Sequence, residues 1–426
     1  MANQNNKPTV IARNEGISSK QRKSLVPKLR FKEFEGEWDS DKMNHITSYV
    51  DYRGRGPEKS DEGIFLVTAK NIKKGYIDYK NSKEYVPIKN YSKVMSKGLP
   101  KVGDILFTTE APLGNIAQVD NPNIALAQRV IKLRGKECIE NTYLLHYMLA
   151  PIYQKLINRK AIGTTVQGIS GKELRRTKVS FPNLPEQQKI ANFLTAVDTK
   201  LQQLSTKKEK LEQYKKGVMQ QLFSQQLRFK DDDGSAFADW EEKTLGEIAT
   251  RNSNKNKEDK VSFVLTNSAT QGIVSQQDYF ERDIANKNNL EGYYIVAKDD
   301  FIYNPRISVH APVGPIKRNK LKEGVMSPLY SVFRFNENNL EYFEYFFETI
   351  VWHKYLNSVA NFGARHDRMN ISNSDFFKMP IPMPCDKERQ KIATYLSAID
   401  KKIEAVQTQI TKTQAFKKGL LQGMFV

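Results

Sequence analysis

Two stretches of the chain place hydrogen-bonding side chains where they could read the edges of a ligand. The first runs from Ile162 to Arg176, IGTTVQGISGKELRR. Thr164, Thr165 and Gln167 stand there between glycines, where a backbone can come close to what it binds. Hydroxyl and carboxamide groups are among those that pair with base edges, and Lys160, Lys172, Arg175 and Arg176 around them suit phosphates. An ordinary polar loop ahead of a strand would carry the same residues. The second stretch is NFGARHDRMNIS, from Asn361 to Ser372. Gly363 matches Gly163, and Ile371-Ser372 matches Ile169-Ser170, but Arg365, His366 and Arg368 replace Thr165 and its neighbours. Further candidates are Lys70 and Asn71 in the turn KNIKKG, Arg53 and Arg55 in DYRGRG, and Arg306 in YNPRIS. Each of these also reads as a solvated face.

Bond-making chemistry finds no comparable constellation. GISGKE holds a Gly-Lys pair but neither the spacing of a phosphate-binding loop nor its magnesium-holding hydroxyl. Asn304-Pro305-Arg306 falls short of the Asn/Asp-Pro-Pro-aromatic signature of amino-methyltransferases. The 5 histidines are scattered, and the 2 cysteines, Cys138 and Cys385, are too far apart for a zinc pair or a disulfide framework. The carboxylates of DDDGSAFADWEEK sit in a Gly- and Asp-rich linker and read as a solvated turn. The sequence therefore predicts a protein that is not an enzyme and holds no metal or cofactor of its own.

Charge points the same way as the two polar stretches. Lys and Arg number 67 against 48 Asp and Glu, a net charge of +19 over 426 residues. Such a protein gathers polyanions, of which nucleic acid is the most abundant in a cell. Two lone cysteines suit a reducing compartment, no apolar run approaches a membrane span, and the start of the chain lacks a secretory core. These features predict a cytoplasmic protein without a membrane partner. Residues 1–24 read as a disordered basic tail.

What must position the polar stretches is a chain written twice. LPEQQKIANFLTAVDTKLQQL, from Leu184, aligns without a gap with DKERQKIATYLSAIDKKIEAV, from Asp386, at a shift of 202 residues. Glu186, Gln188, Lys189, Ile190, Ala191, Leu194, Ala196, Asp198 and Lys200 recur identically, as do Lys215, Lys216, Gly217, Gln220 and Phe223. Leu29–Lys32 returns as Leu227–Lys230, and Trp38 and Ile46 return as Trp240 and Ile248. The domain reading is a first globular domain over 25–182, a helix over 183–226, a second globular domain over 227–384 and a second helix over 385–426. The aligned segments carry apolar residues every three or four positions: Ile190, Leu194, Val197, Leu201 and Leu204 in one, Ile392, Leu396, Ile399, Ile403 and Val406 in the other. That spacing makes a coiled-coil seam. Forty helical residues span about 60 Å.

Two matched stripes in a duplicated chain predict partners for each other. The fold expected is mixed α/β: two tandem α/β domains separated by two long helices that form an antiparallel coiled coil, with pseudo-twofold symmetry. GIFLVTA, GDILFTT and ALAQRVIKL read as strands of the first domain, and VSFVLTN, DDFIYNP and SPLYSVFRF as strands of the second. Each domain adds an aromatic helical stretch, NTYLLHYMLAPIYQKLIN or LEYFEYFFETIVWHKYLNSV, whose rings read as core. Lysines 207, 208, 210, 215 and 216 on the first helix lie along a nucleic-acid backbone or form the wet side of the coiled coil.

The duplicated plan, the EQQKIA and ERQKIA helix openings, the GDILF strand, IGTTVQGIS and SPLYSVFRF together resemble the specificity subunits of type I restriction-modification systems. The resemblance covers everything after the N-terminal tail. It implies two target-recognition domains, each reading one half of an interrupted site in double-stranded DNA, with the helices as spacers. It also implies two methyltransferase subunits and two motor-nuclease restriction subunits as partners. S-adenosylmethionine, and ATP with magnesium, would belong to those partners. A coiled-coil scaffold with incidental basic surfaces is the competing reading. Two globular domains that have diverged while the helices have not favour recognition, because a scaffold does not require that contrast.

Overall fold

The computed structural model describes residues 24–52, 56–279, 290–361 and 367–426. The expected basic tail lies outside them up to residue 23. By packing, the chain forms two compact units, residues 1–203 with 410–426, and residues 204–409. Each unit therefore holds part of both long helices, Leu184–Phe223 and Asp386–Gly423.

In the first unit Thr47–Asp51, Val130–Gly135, Ile105–Thr108 and Ile116–Gln118 hydrogen-bond in that order as an antiparallel sheet. Ile105-Leu106-Phe107 is apolar throughout because both faces of its strand are covered. Ile105 and Phe107 join the cluster that includes the aromatic helix Asn141–Leu149, and Leu106 joins the cluster around Ile124 and Leu126. A smaller sheet orders Tyr85–Val86, Ile64–Val67 and Ile124–Leu126, with the last two parallel. Asp104, ahead of Ile105, is fully buried; it accepts from the Lys101 amide and pairs with Arg134 at 2.6 Å.

The second unit repeats this plan with Ala249–Asn252, Ser331–Phe335, Phe301–Tyr303 and Ile316–Arg318. Phe301 and Tyr303 face one cluster and Ile302 the other. Asp300 is buried like Asp104, accepts from the Ala297 amide and pairs with Arg334 at 2.7 Å. The Gly-Asp of GDILF and the Asp-Asp of DDFIYNP thus do one structural job: a buried carboxylate ties a turn to a neighbouring strand.

Three local expectations need correction. ALAQRVIKL is two strands, Ile124–Leu126 and Val130–Gly135, because Arg129 between them takes a left-handed φ of 68°. NTYLLHYMLAPIYQKLIN is two helices, Asn141–Leu149 and Pro151–Lys160: a residue before proline is driven out of the helical region, and Ala150 sits at φ −65°, ψ 144°. LEYFEYFFETIVWHKYLNSV likewise breaks into Leu340–Glu348 and His353–Val359, with Thr349 extended. The rings are core as expected, with Tyr143, Tyr153, Tyr342, Phe343 and Phe346 fully buried.

The long helices pair antiparallel, and each unit displays the pairing. In the first, Ile190, Ala191, Leu194 and Val197 near the start of one helix share a cluster with Leu420, Met424 and Phe425 at the end of the chain. In the second, Ile392, Leu396 and Ile399 share a cluster with Val218, Leu222 and Phe223. Those two sets are equivalent under the 202-residue shift. Ion pairs repeat the pattern: Asp198 with Lys417 in the first unit, and Asp400 with Lys215 at 2.8 Å in the second. Of the seam residues, Ile190, Leu194, Val197, Leu204, Ile392, Leu396, Ile399 and Val406 are buried, whereas Leu201 and Ile403 are half-buried. The outer seam residues also pack into the globular cores, so the stripe is not purely a helix–helix seam.

The Leu29–Lys32 repeat clamps the start of each helix. Arg30 donates through Nε and Nη2 to Glu186, both at 2.8 Å, and Arg228 donates to Glu388 at 3.2 and 2.8 Å. Both carboxylates are fully buried, so these two-pronged pairs explain why Leu-Arg-Phe-Lys and the Glu of each helix opening recur together. Among the described residues, no helix is long and apolar enough to cross a membrane.

Candidate nucleic-acid interface

The first polar stretch forms a closed loop. Ile162 and Gly168 exchange backbone hydrogen bonds at 2.9 and 3.0 Å, and Thr164, Thr165 and Gln167 are exposed between them. Gly163 has φ +113°, and a Cβ there would meet the Val166 carbonyl oxygen at 2.3 Å, so only glycine closes this turn. Two apolar side chains, Ile162 and Val166, are also exposed on the loop. The cations beside it differ in their freedom. Lys160 and Arg176 share Glu173 at 3.1 and 3.2 Å, and their hydrogen bonds hold that carboxyl below its usual range. Arg175 lies over the Tyr49 ring at 4.7 Å and donates Nε to the Gly171 carbonyl. Lys172 is exposed.

A cleft of about 330 Å³ in the same unit brings Lys70, Gln128 and Arg129 together with Thr68 and Ala111. Arg129 pairs with Glu110 at 2.9 Å, and the backbone of Glu110 bridges to Gly168, which joins the cleft to the loop. The sequence does not flag Gln128 and Arg129, because the break in the strand that exposes Arg129 is not legible from the apolar run around it. Asn71 does not belong to this surface. It is fully buried; its Oδ1 accepts from the Thr68 amide and hydroxyl, and its Nδ2 donates to the carbonyls of Asp78 and Asn81. A side chain with both ends used to build a turn has none left for a base edge. Arg53 and Arg55 lie outside the described residues.

In the second unit the structure brings Arg306 and Arg368 together. Their backbones form an antiparallel bridge, the Met369 amide donates to the Pro305 carbonyl at 2.8 Å, and the Ile307 amide donates to the Asp367 carbonyl at 3.1 Å. Arg306 is exposed, and Arg368 is half-buried beside Asp367 at 3.5 Å. Ile169 donates to Thr109 in the same way in the first unit, at 2.9 Å, so Met369 takes the place of Ile169 in the core. Ser372 and Ser170 cap equivalent short helices. Two extra residues therefore separate bridge and cap in the second unit, and Ile371 is not the core counterpart of Ile169. Arg365 and His366 lie outside the described residues.

Of the lysines on the first long helix, Lys207, Lys210 and Lys216 are exposed, and Lys208 pairs with Glu212 at 3.5 Å. Lys215 is largely buried between Glu348 and Asp400 at 2.9 and 2.8 Å. Burial alone would lower its pKa, but the two carboxylates more than offset that and raise it. Lys215 serves the fold.

The model of the type I restriction modification DNA specificity domain matches this chain twice, over residues 57–213 and 238–413. The chain belongs to that family. It is therefore a specificity subunit: it recognises DNA sequence and is not a catalytic component of its system. The MjaX specificity subunit of Methanocaldococcus jannaschii is 27% identical over 347 residues, covering 75% of this chain and 77% of that one. The MjaIX type I restriction enzyme specificity subunit of the same organism is 24% identical over 202 residues, 44% and 46% of the two chains. Among solved structures, the S subunit of the type I restriction-modification system from M. genitalium has the same fold, with TM-score 0.57 at 15% identity over 94% of this chain and 99% of that one. A chain from a structural study of complex assembly and conformational transition in the type I system gives TM-score 0.53 at 16% identity, covering 90% and 96%. The specificity family thus accounts for the duplicated plan, and the two polar surfaces are where this specificity subunit has diverged from itself.

Proposed function

We propose that this specificity subunit reads an interrupted, two-part sequence in double-stranded DNA, one half-site per unit. One observation carries the reading: two units share sheet order, buried Asp–Arg pairs and helix clamps, yet differ in the polar side chains beside equivalent bridges. Phosphate contacts by exposed cations position a protein on DNA without selecting sequence, and polar and apolar groups entering a groove select it. In the first unit Thr164, Thr165 and Gln167 would supply base contacts, with Lys160, Lys172, Arg175, Arg176, Lys70 and Arg129 on phosphates. In the second, Arg306 and Arg368 would lie on phosphates, and Arg365 and His366 are further candidates for contact with DNA. The paired helices act as the spacer that sets the number of base pairs between half-sites.

The partners in this proposal are two methyltransferase subunits and two restriction subunits in the cytoplasm. They bind S-adenosylmethionine, and ATP with magnesium, while this chain chooses where they act. Each copy of a partner would meet an equivalent stretch of helix, because the ion pairs and apolar contacts of one helix recur on the other. The test is a gel shift with the assembled methyltransferase complex at moderate salt. Saturation by one interrupted duplex, with steep salt dependence, is the expected result. Equal weak binding to every duplex would instead indicate a scaffold. Inserting one heptad into each long helix should change the preferred spacer and leave both half-sites as they were.

A further inference from the structure

The units differ in the length of one hairpin, and that difference has a physical direction. In the first unit the Thr109 carbonyl is clamped by the Ile169 amide, and Ala111-Pro112-Leu113-Gly114 turns the chain back toward Ile116–Gln118. In the second, Pro305 is clamped by Met369, and Ala311-Pro312-Val313-Gly314 turns back toward Ile316–Arg318. Between clamp and turn the first unit has Glu110 alone, whereas the second has Arg306, Ile307, Ser308, Val309 and His310. The extra residues form an ordered tip: Ser308 and Ala311 exchange backbone hydrogen bonds at 3.0 and 3.1 Å, and Ile307 is held by Asp367. At that tip Val309 is 95% exposed.

An apolar side chain held in water on a hydrogen-bonded turn between two paired strands, with Arg306 and Arg368 at its base, has the form of an element built to enter a groove. The major groove of DNA admits a two-stranded β-ribbon, and an apolar side chain there recognises the thymine methyl group. We propose that the Arg306–His310 tip is the specificity-determining element of the second half-site, with Val309 against a thymine methyl and Arg306 and Arg368 on flanking phosphates. The first unit, which has Glu110 in place of the tip, reads its half-site through the Ile162–Gly168 loop. This inference rests on the reading that each unit serves one half-site.

The experiment measures competition binding by the assembled methyltransferase complex, first locating its site and then changing one base pair at a time in each half. For the wild-type protein each correct base should matter by about tenfold or more. In Val309→Ser the penalty at one thymine in one half should fall below about twofold, while every penalty in the other half stays. Replacing that thymine by uracil, which removes only the methyl group, should weaken the wild type severalfold and leave Val309→Ser unchanged. A second variant that deletes residues 307–310, to match the first unit, should relax the same half-site. Unaltered penalties in both halves for either variant would overturn the proposal, as would a change spread evenly over both. Absence of any base preference in the wild type would instead defeat the half-site reading itself.

Discussion

The clamps at the two helix starts and the loops at the two polar surfaces were duplicated together and have fared differently. Arg30 with Glu186 and Arg228 with Glu388 keep the same residues and nearly the same distances. The hairpins after Thr109 and Pro305 differ in length, charge and exposed side chains. A buried carboxylate without its cation is costly wherever it occurs, so neither clamp could drift alone. A solvated loop tip costs the fold little when it changes, so its sequence is free to follow a ligand. Energetic exposure explains which half of the design stayed duplicate.

The largest effect should come from the clamps. Arg30→Ala strands Glu186, and denaturant unfolding should show a loss of about 3–5 kcal/mol. Arg228→Ala should cost less, because the Trp240 indole N–H still donates to Glu388 at 2.9 Å, whereas the buried Trp38 indole nitrogen has no partner among the described residues. Equal losses would mean that the indole contact contributes nothing.

Next is the pH dependence of the first unit. His146 is buried, and that burial, with Lys417 nearby, lowers its pKa to about 3. Its counterpart is Tyr345, since Tyr143 and Tyr342, three residues earlier in equivalent helices, donate to the equivalent carbonyls of Ser180 and Pro382. The unfolded histidine takes up its proton near pH 6.5, so the stabilising contribution of neutral His146 is complete above that pH. It is lost as pH falls toward 3, at about 1.4 kcal/mol per pH unit. Unfolding measured from pH 7 to pH 5 should show that slope, and His146→Gln should flatten it.

Asn71 and Gln167 separate building a surface from reading with it. Asn71→Ala should cost about 1–3 kcal/mol of stability by leaving buried groups of the turn unpaired, with base preference unchanged. Gln167→Ala should leave stability within about 0.5 kcal/mol and relax one base position in one half-site. Binding and unfolding measured on both variants check the contrast. The smallest effect is at the helix pair. Lys417→Asp set against Asp198 should cost about 1 kcal/mol, a partly exposed pair being well screened, and adding Asp198→Lys should restore most of it. A double variant no better than the single would remove the ion pair from the account of the antiparallel arrangement.

The duplication, the two long helices, their antiparallel partnership and the buried aromatic stretches were all legible in the amino-acid sequence. Repeated residues at a fixed shift and apolar residues at helical spacing are local patterns, and burying a continuous stripe leaves few ways to pack it. The role of Asn71, the exposure of Arg129 and the four-residue extension that carries Val309 were decided only by tertiary structure. A polar residue looks alike in sequence whether its atoms face water or a turn, and a loop reveals its length only once the clamps at its ends are known. The repeated apolar side chains that hold the frame follow from pattern; which polar ones remain at the surface is set by the hydrogen bonds the frame has already used.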